Sequence, residues 1–246
     1  MNKSLKEFIE SNIDLIENNQ WETVYDRALS KLSDSDIGQF TKIFLDANIH
    51  PENYLSYLPN YFLYGTSIKN FEIPSSITSI NRSAFYDCSS LTSITIPDSV
   101  TAIGYSAFSS CSSLTSISIG NSVTSIGGSA FAYCESIKSI MIPDSVTNIG
   151  YGAFYNCTSL ISMTIPNSVT SISDSTFAYC ISLASVTIPD GVTDIGDYAF
   201  DDCSNHLIIK YNGSKSDWKQ IYNSKAFVNT YFTCHCTDGK IVKKRR

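Results

Sequence analysis

The sequence predicts an α+β protein: a β-solenoid of seven 23-residue coils, closed by a helical cap at its N-terminal end and a small mixed cap at its C-terminal end. Three observations carry that prediction. Phe85, Phe108, Phe131, Phe154, Phe177 and Phe200 recur every 23 residues, and each is followed three positions later by a cysteine, Cys88, Cys111, Cys134, Cys157, Cys180 or Cys203. A fixed period of this length marks stacked coils. Before the repeats, apolar residues recur at helical spacing, and after Tyr211 the period stops.

In the N-terminal part, residues 1–50, Leu5, Phe8, Ile9, Ile13 and Ile16 describe the apolar face of one amphipathic helix over 4–18. Trp21, Val24, Tyr25, Ala28, Leu29 and Leu32 describe a second. Ser33 or Asp34 caps a third, whose inner face is Ile37, Phe40, Ile43, Phe44 and Ala47. Three short helices are too little for a roomy enzyme domain, and the expectation is a cover for the open end of the solenoid.

Aligned backwards from the clear copies, Pro51 matches Pro74 and Phe62 matches Phe85, so the solenoid runs over 51–211, with Gly65 in the first cysteine position. In a middle copy, 97–119, the segment Ser116–Ile119 alternates apolar and polar residues and reads as a short strand. Proline ends that strand, and the V-T-x-I-G segment makes a second extended stretch before a turn at glycine. One coil cannot bury enough apolar surface to hold itself, so the copies must stack. Residues 212–246 form the C-terminal cap: a short helix at SDWKQI that seats Trp218 and Ile221 on the last coil, and a hairpin from Val228–Cys236 through a D-G turn to Lys240–Val242.

The pattern L-x-x-I-x-I-P-x-x-V-x-x-I-x-x-x-A-F-x-x-C resembles the BspA-like class of leucine-rich repeats, found in bacterial surface antigens, protist surface proteins and some bacteriophage-encoded proteins. The likeness spans 51–211 and extends into YNGSKSDWKQI and the C-T-D-G turn. It implies a leucine-rich-repeat solenoid and an adhesion or protein-binding role. Gly120 in place of proline, Ser173 in place of glycine and Thr176 in place of alanine depart from the pattern.

Charge is unevenly spread. Residues 51–211 carry twelve acids and four bases, whereas 212–246 carry two and eight. An acidic body does not suit phosphate binding, so no nucleic-acid partner is expected, and the ending KIVKKRR reads as a solvated tail. No apolar run is long enough for a membrane span. The N-terminal stretch lacks the apolar core and small-residue cleavage site of a secretion signal, which leaves the cytoplasm, an assembled particle, or a processed chain as expectations.

No catalytic constellation is legible, and neither a metal nor a cofactor is expected. The cysteine column reads as small core residues. Cys234-His235-Cys236 sends its thiols to one strand face and its imidazole to the other, and no second pair completes a zinc site. His50 and His206 have no partner nucleophile. Asp190, Asp194, Asp197, Asp201 and Asp202 are spread around one coil rather than converging on a cation, and read as a solubilising end that pairs with lysines of the cap.

Two surfaces remain. A hydroxyl column, Thr78, Thr101, Thr124, Thr147, Thr170 and Thr193, and an outward ladder from Ser93 to Thr187 admit ice binding as a remote alternative. Tyr86, Tyr105, Tyr133, Tyr151, Tyr155 and Tyr179, by contrast, stand where other copies hold Ser, Ala, Gly, Asn, Asp or Arg. Positions that change while the frame repeats are not required by the frame, and tyrosine suits recognition surfaces; tyrosines covering the edge of the core are the competing reading. The expectation is a non-enzymatic binding or adhesion module for a protein or glycan. The alternative is a structural component of an assembly such as a phage virion, docking through its N-terminal helices.

Overall fold

The structure, a computed structural model, describes residues 3–46 and 50–243; Ala47 and the last three residues of the basic tail lie outside them. Each coil is held to its neighbours on three sides. One side carries two-residue parallel strands, Tyr57–Leu58, Ser79–Ile80, Ala102–Ile103, Ser125–Ile126 and Asn148–Ile149, followed by the pair Ser171–Ile172 and Asp194–Ile195. A second side carries the alternating strands. Ser93–Ile96 pairs with Ser116–Ile119, and Ser162–Thr164, Ser185–Ile188, Leu207–Tyr211 and Phe232–Cys236 run parallel. Phe232–Cys236 adds an eighth turn from within the cap, and Gly239–Lys243 closes the sheet antiparallel to it.

Between these strand pairs no ladder forms over Ser139–Ile142, although Ile140 and Ile142 stay buried. A depression of about 560 Å³ opens there against Ile117, Ile119 and Asn121, beside Met141.

The third side is a tight turn around each phenylalanine. Phe85, Phe108, Phe131, Phe154, Phe177 and Phe200 are fully buried and stack nearly face to face with centroids 4.9–5.6 Å apart, and Phe227 of the cap continues the column at 5.1 Å. Their backbone amides donate to the next coil, as in Phe108 to Ala130 and Phe131 to Ala153, both 2.8 Å. The cysteines complete the frame. Cys111, Cys134, Cys157, Cys180 and Cys203 donate S–H to the carbonyl of the phenylalanine in the preceding coil at 3.1–3.2 Å. None of the eight is in a disulfide. Burial pushes these thiols far above the ordinary thiol range, and Cys88 up to about 12.

The first coil is shifted by one residue from the expected alignment. Leu58 pairs with Ile80, and Leu63 donates to Ala84 as Phe85 donates to Ala107, so Leu63 and not Phe62 stands in the phenylalanine position. Thr66, not Gly65, takes the cysteine position: it is buried, its amide bonds Leu63 as that of Cys88 bonds Phe85, and its hydroxyl lies 3.7 Å from the Cys88 thiol. The 23-residue spacing returns by Lys69, whose carbonyl accepts from Thr92. Phe62 is released to meet Tyr25 of the helical cap at 5.5 Å, and Phe71 fills the space between Phe62 and Phe85.

The N-terminal segment differs from expectation in its first helix, which is broken into α1, Lys3–Ser11, and α2, Ile13–Glu17. Asn12 causes the break: its amide donates to the Phe8 carbonyl at 2.8 Å, competing with the helix, while its side-chain oxygen accepts from Arg27. Ile13 is consequently exposed, as is Leu29 of α3, Trp21–Lys31. Helix α4, Asp34–Asp46, starts at Ser33, whose hydroxyl accepts from the Asp36 amide. Gly38 lets α4 lie directly on the first coil, since a Cβ there would meet the Tyr64 backbone at 2.2 Å. Glu22 accepts from both the amide and the hydroxyl of Ser56.

At the other end α5, Lys215–Ile221, opens with a Ser214/Asp217 capping box and buries Trp218. The expected hairpin begins at Phe232 rather than Val228, because Ser224–Phe227 forms a 3₁₀ turn that carries Phe227 onto the stack.

Candidate functional site

Three positions around each phenylalanine vary between coils: the third residue before it and the first and second after it. They hold the six expected tyrosines. Tyr105 and Tyr151 occupy the first, Tyr86 and Tyr155 the second, Tyr133 and Tyr179 the third. Five of them, Tyr86, Tyr105, Tyr133, Tyr151 and Tyr155, line one trough of about 560 Å³, floored by Ser106, Ser109, Ser129, Ala132 and Gly152. Tyr179 does not line it but extends the aromatic row, its ring meeting that of Tyr155 at 5.2 Å; Tyr155 in turn meets Tyr133 at 5.4 Å. Tyr105, Tyr133, Tyr151 and Tyr179 are exposed, whereas Tyr86 and Tyr155 are half-buried.

Backbone conformation sets Tyr133 and Tyr179 apart from the other four, and Tyr61 and Tyr198 share it at 62° and 59°. The second residue after each phenylalanine from Phe85 onward turns through positive φ, 57° at Asp87, 63° at Ser110, 60° at Tyr133, 56° at Asn156, 62° at Tyr179 and 47° at Asp202. Left-handed backbone suits Asn and Asp, and disfavours a bulky ring. Tyr133 and Tyr179 therefore sit where the turn itself favours a smaller polar residue.

The trough also contains residues that the sequence pattern did not single out. Tyr64 stacks on Tyr86 at 4.9 Å with planes 9° apart, and Tyr61 packs edge-on against Tyr64. The one-residue shift of the first coil hides Tyr64, which stands 22 rather than 23 residues before the position it matches. Arg82 shares the position of Tyr105 and Tyr151 in its own coil and lies 5.1 Å over the Tyr105 ring. Asp34 reaches the trough from α4, where no periodicity announces it. The Tyr64 phenol is pushed upward by burial and by the neighbouring Tyr86, Asp34 and Asp87, and that of Tyr155 by burial and by Tyr133 and Tyr179. Both stay protonated donors at neutral pH.

The other candidates are accounted for differently. Thr101, Thr124, Thr147 and Thr193 donate their hydroxyls to the carbonyl of the preceding column member at 3.1–3.3 Å, so these hydroxyl protons tie coil to coil. The aspartates of the last coil clasp the cap. Asp197 accepts from the Asn223 amide at 2.8 Å and pairs with Lys225 at 3.2 Å, which together hold its carboxyl below the usual range. Asp201 and Asp202 accept from Asn229. Cys234 and Cys236 have sulfurs 3.8 Å apart, with His235 exposed on the opposite face. Among the described residues no group of three or more His, Cys, Asp or Glu side chains is placed to hold a metal, and no helix is long and apolar enough to cross a membrane. His206 lines a depression of about 770 Å³ at the cap end, between Ile208, Phe232 and Val242.

A capped stack of short parallel strands, with a buried column of repeated side chains and a varied outer row, defines a leucine-rich repeat protein. The family described as the BspA type leucine rich repeat region matches the chain in six copies, over residues 56–157, 78–207 and 124–235, and the chain belongs to that family. No curated protein matches it.

Among solved structures, the chain is similar to the T. pallidum leucine rich repeat protein, at 28% identity and a TM-score of 0.55 over 68% of this chain and 82% of that one. It is similar to a leucine rich cell surface protein from Faecalibacterium prausnitzii A2-165, at 35% identity and 0.52 over 65% and 44%. A leucine-rich repeat protein from Bacteroides ovatus ATCC 8483 gives 27% identity and 0.60 over 72% and 50%. The chain thus spans about half the length of the last two. These relatives are leucine-rich repeat proteins, a non-enzymatic repeat class whose fold typically serves binding.

Proposed function

We propose that this protein is a non-enzymatic binding or adhesion module whose tyrosine trough is the surface presented to a partner. The observation that carries this reading is the positive φ of Tyr133 and Tyr179, positions filled elsewhere by Asp, Ser and Asn: a ring is held where the turn does not favour one. The contiguity of the aromatic row and the family's typical use in binding support it further. The likeness to a protein described as a cell surface protein adds surface adhesion as its setting. In this reading residues 1–50 and 212–246 are caps, because the inner faces of α3 and α4 are spent on the first coil and Phe227 on the last.

The test replaces Tyr105 and Tyr151 with serine and compares proteins retained from the source organism's lysate and surface fraction by quantitative mass spectrometry. Partners lost from the variant, with an unchanged melting temperature, support the trough. Retention of every partner refutes it. Deleting residues 1–48 separates the alternative of docking through the helices: collapse of the solenoid is expected for a cap, whereas an intact solenoid that no longer assembles favours a structural subunit.

A further inference from the structure

Four carboxylates stand in or beside the trough, and among the described residues none of them meets a cation. Asp34 lines it, and Asp87 adjoins it closely enough to raise the Tyr64 phenol. Glu135 follows Tyr133 by two residues and accepts from Asn156, next to Tyr155. Asp174 takes the position of Tyr105 and Tyr151 in the coil beyond, and its carbonyl accepts from Gly152 in the trough floor. All four side chains are exposed, and among the described residues none of them forms an ion pair. Among the described residues, Arg82 is the one base lining the trough.

Two interactions within the chain already show what this border accepts. The Arg82 guanidinium lies over the Tyr105 ring, an arrangement in which the ring's negative face attracts the cation. One coil beyond Asp174, Asp197 stands in the same position and holds Lys225, on the cap segment that crosses the end of the stack. Asp174 spends one carboxylate oxygen on the Asp197 amide at 2.8 Å and, among the described residues, has no lysine on the other.

We propose that the tyrosine trough receives an extended, cationic polypeptide segment, its lysine or arginine heads on Asp87, Glu135 and Asp174 and their aliphatic stems along the phenol rings. This rests on the reading of the trough as the binding surface and adds the chemistry of the occupant. From Tyr64 to Tyr179 the row crosses five coil steps. At strand spacing that is roughly 24 Å, which an extended chain covers in about seven residues. Long basic side chains carry apolar stems suited to the rings and charged ends suited to the border. Phosphate-bearing partners are repelled by the same carboxylates. A neutral sugar would need free ring faces, whereas Tyr64 and Tyr86 cover one another and Arg82 covers a face of Tyr105.

The experiment measures fluorescence anisotropy of a labelled decapeptide of alternating arginine and alanine against the full chain, beside its glutamate–alanine counterpart, spermine and maltohexaose. The arginine peptide binds, the glutamate peptide does not, and added salt weakens the complex. Asp87→Asn with Glu135→Gln and Asp174→Asn weakens binding about tenfold, since several surface charge contacts are lost together. Asp190→Asn with Asp194→Asn, equally exposed but outside the trough, changes it by less than about twofold. Asparagine at 87 suits the positive φ there, so the triple variant keeps its fold.

An equal loss from the Asp190/Asp194 pair would show diffuse attraction to an acidic body and overturn the proposal. So would spermine competing as strongly as the peptide, or maltohexaose binding that depends on Tyr133 and Tyr155. If Tyr105→Ser with Tyr151→Ser removes a captured partner while the triple acid variant retains it, the trough stands as the surface and the cationic occupant falls. If neither matters, both readings fall.

Discussion

Phe131 and Tyr133 are two residues apart in one coil and belong to different parts of the molecule. Phe131 is fully buried, stacked between Phe108 and Phe154, and its amide is spent on the next coil. Tyr133 is 44% exposed, sits at positive φ and touches another tyrosine. Phenylalanine fills its position in six successive coils, whereas the tyrosine position also holds Asp87, Ser110, Asn156 and Asp202. The repeat therefore reports what stacking demands. In the proposed reading, a bulky residue that replaces the small polar one favoured by the turn is there for binding rather than stability.

That contrast breaks most sharply in the frame. Phe131→Ala opens a cavity in the centre of the column and is expected to cost about 3–5 kcal/mol, read by urea unfolding. A smaller loss, about 1–3 kcal/mol, is expected for Gly127→Ala, because a Cβ there would stand 2.6 Å from the Gly104 backbone of the coil below and the two coils must separate to admit it. Alkylation by iodoacetamide of the native protein should reach Cys236 first and leave the six column thiols unmodified until denaturant is added. Their burial both blocks the reagent and keeps them protonated. Early modification of Cys134 or Cys157 would mean that the coils open locally.

The cap clasp responds to pH with a defined sign. The folded-state pKa of Asp197 lies below its unfolded value, so its contribution is present above the unfolded pKa, about 4, and is lost as pH falls through the folded value. Trp218 fluorescence, isolated by Trp21→Phe, should therefore report loosening of the C-terminal cap in acid before the phenylalanine column unfolds. Asp197→Asn should loosen the cap at neutral pH and reduce this acid step to the part that comes from Asp217, whose carboxyl is held low by Ser214. A cap indifferent to that change would assign the clasp to Phe227 and Trp218 alone.

Much of the frame was legible because stacking imposes a strict period: the phenylalanine and cysteine columns and the strand alternation at Ser116–Ile119 follow from it. The period failed where the chain is not periodic. The shift in the first coil is invisible to an alignment that pairs Phe62 with Phe85, yet it is what sets Leu63 into the column and Tyr64 against Tyr86. Asn12 looked like an ordinary helical position until its amide was seen to take the Phe8 carbonyl. Asp34 enters the trough through tertiary packing of α4 alone. The six tyrosines could be picked out by their irregularity, but the left-handed turn beneath Tyr133 and Tyr179 could not, since Ser and Asp are equally common at ordinary turns.

The most direct test of this division needs no partner. Urea unfolding of Tyr133→Asn with Tyr179→Asn should leave stability within about 1 kcal/mol per site of the parent, because relief of the left-handed turn offsets the loss of the ring contacts with Tyr155. A loss of about 2 kcal/mol or more per site, the size expected of a core residue, would place these tyrosines in the frame and contradict the account.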